Sequence, residues 1–413
     1  MVRPVYLNTF FHEADAANTS DPRVFWDNHT RRWIASILVY GFDAKAGQFT
    51  DSHVDVAVSR TADPRGSWRI YQIDTTNKIH AGCPCLADYP ILGVDRDNVY
   101  ISTNEFDKTG TQFNGSQLYA LSLSQLESGA KAPNMVFYEN LSAAGVLGYH
   151  VQPANTYGRS GVEYLMSSLD PFNTFDNRLV VWALTGTQKV ATGGIPALSA
   201  QVISSEAYSL PPDAQTPPGF CSGSACKKAA DGVVATDFDA MQEVQYINGN
   251  LVGALNTAVN IAGEAGPRAG VAWFVVRPSI ADGTVSTATR VTRQGYLAQQ
   301  SEYLLYPHIN MTQNGAMAMT FGFGGPGTFL SAAYATAPPG GRFGNIKIAG
   351  AGVAPDNGFT GTKPFGGVGR WGDYSNGQII VGTNKVWLAT QYIPNNGDGN
   401  ANWGNRILEV KLG

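Results

Sequence analysis

Short runs of strand-forming residues, each closed by a polar turn, follow one another along nearly the whole chain, and very little of it reads as helix. The run "IASILVYGF" at residues 34–42 is typical: apolar, β-branched and aromatic, and far too short to cross a bilayer. Several runs form pairs around a polar tip. The tips are Asp27-Asn28-His29, Asp95-Arg96-Asp97, Asn248-Gly249 and Gln313-Asn314-Gly315, and each precedes a second strand rich in aliphatics.

These hairpins are copies of one unit. Laid beneath one another, "SDPRVFWDNHTRRWIASILV" from Ser20, "DYPILGVDRDNVYISTNEF" from Asp88 and "VQPANTYGRSGVEYLMSSL" from Val151 share their pattern with "QEVQYINGNLVGALNTAV" from Gln242, "LYPHINMTQNGAMAMTFGF" from Leu305 and "DYSNGQIIVGTNKVWLATQYI" from Asp373. Aligned on Pro22, Pro90, Pro153, Val244, Pro307 and Ser375, the steps are 68, 63, 91, 63 and 68 residues. The long step holds the Pro-, Gly- and Cys-rich stretch 193–231, which reads as an insertion. Further strands follow most hairpins, such as "SHVDVAVSR" and "SWRIYQID" in the first copy and "GVAWFVVRP" in the fourth.

Four strands per repeat define an all-β fold, a six-bladed β-propeller of four-stranded antiparallel blades. The blades are expected to start near residues 20, 88, 151, 242, 305 and 371, within one domain spanning 1–413. The last copy holds three strands, and residues 4–11, "PVYLNTFF", precede the first blade. That segment is expected to supply the missing outer strand and close the ring, removing an open sheet edge.

Composition agrees with this reading. With 47 glycines, 22 prolines and 15% charged residues, the 413-residue chain suits many short strands joined by turns. The net charge of −4 and the absence of any Lys/Arg run argue against nucleic acid as a partner, and no membrane span is present. A monomer with a glycan or other small-molecule substrate is expected.

Of the four cysteines, Cys221 and Cys226 stand in a Gly/Ser/Lys loop where a disulfide would staple the insertion. Cys83 and Cys85 read as free buried thiols, with a strained pair or half a metal site as alternatives; no second Cys or His pair stands at zinc spacing. Together with the low lysine content, this suggests a secreted or periplasmic protein, although residues 1–4 carry no apolar signal segment. Residues 395–405, "NNGDGNANWGN", offer oxygen donors to a structural calcium. Only Asp398 is charged, and no Glu follows at loop-hand spacing, so a solvated loop is expected, with no cofactor. No P-loop, dinucleotide fingerprint or Gly-x-Ser-x-Gly elbow occurs.

In a propeller the copy starts converge on a central channel. The expected catalytic residues are Asp21, Asp88, His150, Glu243 and Asp373, and the expected substrate-binding residues are Arg23, Tyr89, Gln152, Tyr306, His308, Arg370, Trp371 and Tyr374, with Gln242 beside them. Two carboxylates across a pocket would give a glycoside hydrolase. A His abstracting a proton beside a uronate carboxylate held by Arg23 or Arg370 would give a polysaccharide lyase. Trp371 next to Arg370 would offer a sugar a flat apolar face beside a cation. A non-catalytic glycan- or protein-binding module is the alternative, but the six starts differ strongly, which fits one asymmetric site better than six equal ones.

The strings "DYP", "GVD" and "NVYISTNEF" of the second copy, "VQPA" at 151–154, "RLVVWALTGT" at 178–187, "GALNTAV" at 253–259 and "RWGDYS" at 370–375 together resemble a family of bacterial exported proteins, uncharacterised or sialidase-like. The sialidase pattern implies three arginines, a Tyr/Glu nucleophile pair and repeated Asp boxes. Here only Arg23 and Arg370 stand at copy starts, and "SRTADPRGSW" at 59–68 is the nearest thing to an Asp box. The resemblance therefore implies the architecture more than the activity.

Overall fold

Because each run of strand-formers ends in a tight polar turn, each folds back on its predecessor, and the chain builds antiparallel sheets in sequence order. The computed structural model describes residues 5–158, 160–172, 175–218, 232–356, 368–395 and 402–413, and these are nearly all β. The first sheet is Asn18–Asp27, Arg32–Asp43, Gln48–Ser59 and Trp68–Asp74. The second is Leu86–Val94, Asn98–Phe106, Phe113–Ser122 and Met135–Ala143. Gln152–Tyr157, Val162–Ser168, Asp176–Thr185 and Ala197–Tyr208 follow in the third copy. The fourth contributes Val244–Ile247, Asn250–Val259, Arg268–Arg277 and Arg290–Leu297. The fifth has Tyr303–Met311, Met317–Gly325, Thr328–Ala337 and Lys347–Gly350, and the last has Asn376–Ile380, Lys385–Tyr392 and Gly404–Lys411. The Asp-box-like stretch forms the turn between the third and fourth strands of the first sheet, with Arg60 N–H donating to the Ser67 carbonyl.

The chain divides into two compact units. One comprises Met1–Leu169, Val180–Val202 and Ser279–Ala288; the other comprises Asp170–Leu179, Ile203–Pro278 and Thr289–Gly413. In the first unit, Phe25, Ile34, Val54 and Val56 pack with Leu92, Val99, Ile101 and Tyr119, so facing surfaces of the first two sheets share one core. A second cluster joins Tyr100, Leu118 and Val136 to Val151, Leu165 and Trp182. In the second unit, Leu305, Tyr306 and Leu330 surround Trp371 and Ile393. Each fully buried aliphatic side chain contributes roughly 1.5–3 kcal/mol of transfer free energy.

Burial falls off across a repeat. The strand Asn98–Phe106 is buried at every position but its last, as expected of a strand covered on both faces. Arg290–Leu297, last of its copy, alternates exposed and half-buried positions up to its buried final residue. The last strand of a copy therefore lies shallower than the strands inside it. In the first unit, Gln152–Tyr157 and Leu86–Val94 run side by side in the same direction, pairing Asn155 with Val94.

Three expectations need correction. The closing strand expected at 4–11 is absent over its described part, 5–11: Leu7–Phe11 is a short helix, α1, with Phe11 packed on Ala35, Ile37, Val39 and Ala57, and Phe10 edge-on to Trp68 at 5.1 Å. The Asn8 amide donates to the carbonyls of Ala14 and Ala17 while its oxygen accepts from Thr19, which turns this segment back on itself. Cys83 and Cys85 are joined as a disulfide and are not free thiols. The insertion starts later than residue 193, because Ala197–Tyr208 is a full strand; beyond it, Ala214–Gln215 pairs with Val233–Val234. Cys221, Cys226 and Asp398 lie outside the described residues. Among the described residues no helix is long and apolar enough to cross a membrane.

Candidate active site

Four of the six copy starts share a backbone device. Asp21, Tyr89, His150 and Tyr306 all have φ between 47° and 53–55°, in the left-handed region. For a residue with a side chain this conformation costs roughly 1–2 kcal/mol. The register slips at the same places, between Ser20 and Arg23, between Asp88 and Ile91, and between Leu305 and His308, so each strand carries a bulge there. Asn104 Oδ1 accepts the N–H of His150 at 3.0 Å, and Asn256 Oδ1 accepts that of Tyr306 at 2.7 Å. By this device His150-Val151 is the counterpart of Tyr89-Pro90 and Tyr306-Pro307, so the third copy starts two residues earlier than an alignment on Pro153 places it. A bulge re-aims the side chains at the end of a strand.

In the first unit the structure brings Arg23, Tyr89 and His150 together. The Arg23 guanidinium lies 4.9 Å over the Tyr89 ring, Tyr89 stacks on His150 at 4.1 Å, and His150 stacks on Tyr149 at 4.5 Å. Asp21 and Asp88 meet at Tyr40: burial first, then these two carboxylates, raises the Tyr40 hydroxyl above its usual pKa. Gln152 is buried in the same unit.

In the second unit, Glu243 and His308 come together, Oε2 to Nδ1 at 3.6 Å, with both side chains almost wholly buried. His308 Nε2 meets Asn310 Oδ1 at 3.1 Å, and Asn376 donates to Glu243 Oε2 at 3.2 Å. The backbone of Gly377 passes so close that a Cβ there would fall 2.3 Å from Asn310 Oδ1 and 2.9 Å from His308 Cδ2. Gln242 uses its N–H on the Ala254 carbonyl, and the Tyr306 hydroxyl donates to the Ala235 carbonyl.

Arg370 and Asp373 are ion-paired, Nη2 to Oδ1 at 2.5 Å. Next to them stands Asp237, which sequence reasoning missed. Its carboxyl is pushed up to about 7, first by desolvation and then by the Asp373 carboxylate, with Arg370 opposing. The residue as a whole nevertheless keeps exposed surface. Trp371, by contrast, is only 2% exposed, with its indole against Gly322, edge-on to Trp403 and inside the core, so it offers no face to a sugar. Tyr374 is half-buried beside Asp373. Elsewhere in this unit a recess of about 370 Å³ is lined by Phe175, Tyr208, Tyr296 and small residues; none of the predicted site residues lines it.

Two carboxyl groups in unlike surroundings, Asp237 crowded and Asp373 engaged by a guanidinium, are the arrangement that separates an acid from a base. No protein-family model and no curated protein matches the chain. Among solved structures it is similar to a protein of unknown function from Dyadobacter fermentans, at 13% identity and a TM-score of 0.45 over 96% of each chain. It is also similar to a GH43_1 enzyme from Xanthomonas citri complexed with xylotriose, at 11% identity and a TM-score of 0.39 over 96% of this chain and 88% of the other. A third similar structure is an α-L-arabinofuranosidase from Fusarium graminearum, at 10% identity and a TM-score of 0.43 over 94% and 92%. Likeness at these values decides nothing about the site.

Proposed function

We propose that this protein is a glycoside hydrolase acting on an extracellular glycan, with Asp237 as general acid and Asp373 as its carboxylate partner. The observation that carries this reading is Asp237 itself: a desolvated carboxyl pushed up to about 7 on a residue that keeps exposed surface, with the Asp373–Arg370 ion pair close enough for both charges to act on it. An acid with a pKa near 7 holds its proton at neutral pH and can deliver it to a leaving glycosidic oxygen. The second carboxylate then serves as nucleophile or as base toward water. Arg370 orients Asp373 and supplies positive charge for an acidic substituent on the sugar.

In this reading the repeated sheets are the blades of one six-bladed propeller, and the protein works as a monomer outside the cytoplasm. Glu243 and His308, in the same unit as Asp237 and Asp373, then contact the sugar as binding groups. The test is a pH–rate profile on released reducing ends. Activity should fall on the alkaline side with an apparent pKa near 7, and that limb should disappear in Asp237→Asn. Reducing ends released together with unsaturated uronate ends, the paired products of an elimination, would transfer the chemistry to His308 and Glu243.

A further inference from the structure

The first sheet carries a second cluster that the proposed site does not use. His53 and Asp55 lie two apart on the strand Gln48–Ser59, so both project from one face, the face that also carries Ala57 under α1. Immediately after that helix, the chain sets Glu13 over them. His53 Nε2 lies 3.5 Å from Glu13 Oε1 and 3.9 Å from Asp55 Oδ1, and one ligand atom from each residue falls within 4.8 Å of the other two.

We propose that Glu13, His53 and Asp55 form a binding site for one divalent transition-metal ion of the zinc type, which clasps the N-terminal segment to the first sheet. Metal–nitrogen and metal–oxygen bonds of about 2.0–2.2 Å around a tetrahedral ion hold ligand atoms about 3.3–3.6 Å apart. The Nε2-to-Oε1 separation already meets that value, and the Nε2-to-Oδ1 separation needs only a small side-chain adjustment. One imidazole and two carboxylates suit a borderline ion better than calcium or magnesium, which take all-oxygen shells.

The independent observation is Asp55. It is 1% exposed, and the side chain that reaches its carboxyl is another carboxyl, Glu13, while its Oδ2 and the buried Nε2 of His53 meet no N–H or O–H donor of the protein. Leaving a buried acceptor unmet is costly, and a cation between the carboxylates and the imidazole removes that cost. Glu13 and His53 keep side-chain exposures of 19% and 16%, which leaves a path for the ion and room for water as the fourth ligand. The other His/Cys/Glu grouping, at His80, Cys83 and Glu105, differs because its sulfur is tied up in the disulfide.

The experiment uses the full chain, stripped with a chelator and titrated with Zn²⁺ alone. Bound zinc is measured after gel filtration, with calorimetry for affinity, the melting temperature for stability and limited proteolysis around residues 12–17 for the clasp. One equivalent of zinc per chain is expected, with a raised melting temperature and slower cleavage. His53→Ala and Glu13→Gln should each weaken binding by at least about 100-fold, the upper end of the loss that changes behind the ligands already cause at metal sites. Both positions are partly exposed, and circular dichroism of each variant confirms folding. Wild-type protein that retains no zinc and gives no saturable heat overturns the proposal, as do variants that bind zinc as tightly as wild type.

Discussion

Tyr89 and His150 lie face to face, ring centroids 4.1 Å apart and planes 9° from parallel, although 61 positions separate them in the sequence. Both sit at left-handed positions of neighbouring copies, so one repeated backbone device delivers an aromatic pair with Arg23 over its outer face. A double-mutant cycle with Tyr89→Leu and His150→Leu should give a coupling of about 0.5–1.5 kcal/mol in urea melts. Additive losses would mean that the stack contributes no more than the burial of each ring alone.

Asn256 meets three buried backbone groups at once. Its Oδ1 accepts from Tyr306 N–H, and its Nδ2 donates to the carbonyls of Gly270 and Leu304. Asn256→Ala should cost about 3 kcal/mol or more, since each stranded buried group costs about 1–3 kcal/mol. A chemical-denaturation midpoint unchanged from wild type would show that water replaces the amide there.

Gly377→Ala tests how tightly the Glu243–His308 pair is framed. The added carbon would displace Asn310 or His308, because neither 2.3 Å nor 2.9 Å is tolerable. Destabilisation of about 1–3 kcal/mol is expected, together with a loss of glycan affinity. Unaltered melting and binding would mean that the neighbouring strand shifts freely.

Glu163 is fully buried, and its pKa is raised well above the usual carboxyl value by desolvation first and Asp95 second. A carboxyl with a raised folded-state pKa does not oppose folding below its unfolded pKa and opposes it increasingly as pH climbs toward the folded value. Glu163→Gln should therefore match wild type near pH 4 and exceed it in melting temperature by a margin that grows through neutral pH. A constant margin across that window would rule out titration as the cause.

Much of the fold was legible because its signals are local. Strand-formers and turn residues mark each hairpin, and the spacing of the copies repeats them. What escaped depends on distant neighbours. Residues 7–11 carry aromatics that suit a strand, yet they coil because Phe10 and Phe11 find a ready apolar surface on the first sheet and Asn8 caps the turn. Trp371 looks like a sugar platform beside Arg370 until the core around Val234 and Trp403 encloses it. Asp237 lies in an irregular stretch outside the repeats, so no pattern singled it out; its environment comes from Asp373 and Arg370, over 130 positions away. Asn104 and Asn256, in "STNEF" and "ALNTA", also went unmarked, because their role lies in the bulged copy starts whose N–H groups they accept.

The most direct measurement is reducing-end release from a panel of acidic and neutral polysaccharides by wild-type protein, Asp237→Asn and Asp373→Asn, each first shown to be folded. The account predicts turnover by wild type on at least one glycan and a drop of about 10²–10⁴-fold in both variants. No release by wild type on any glycan, or an Asp237→Asn variant as active as wild type, would contradict it.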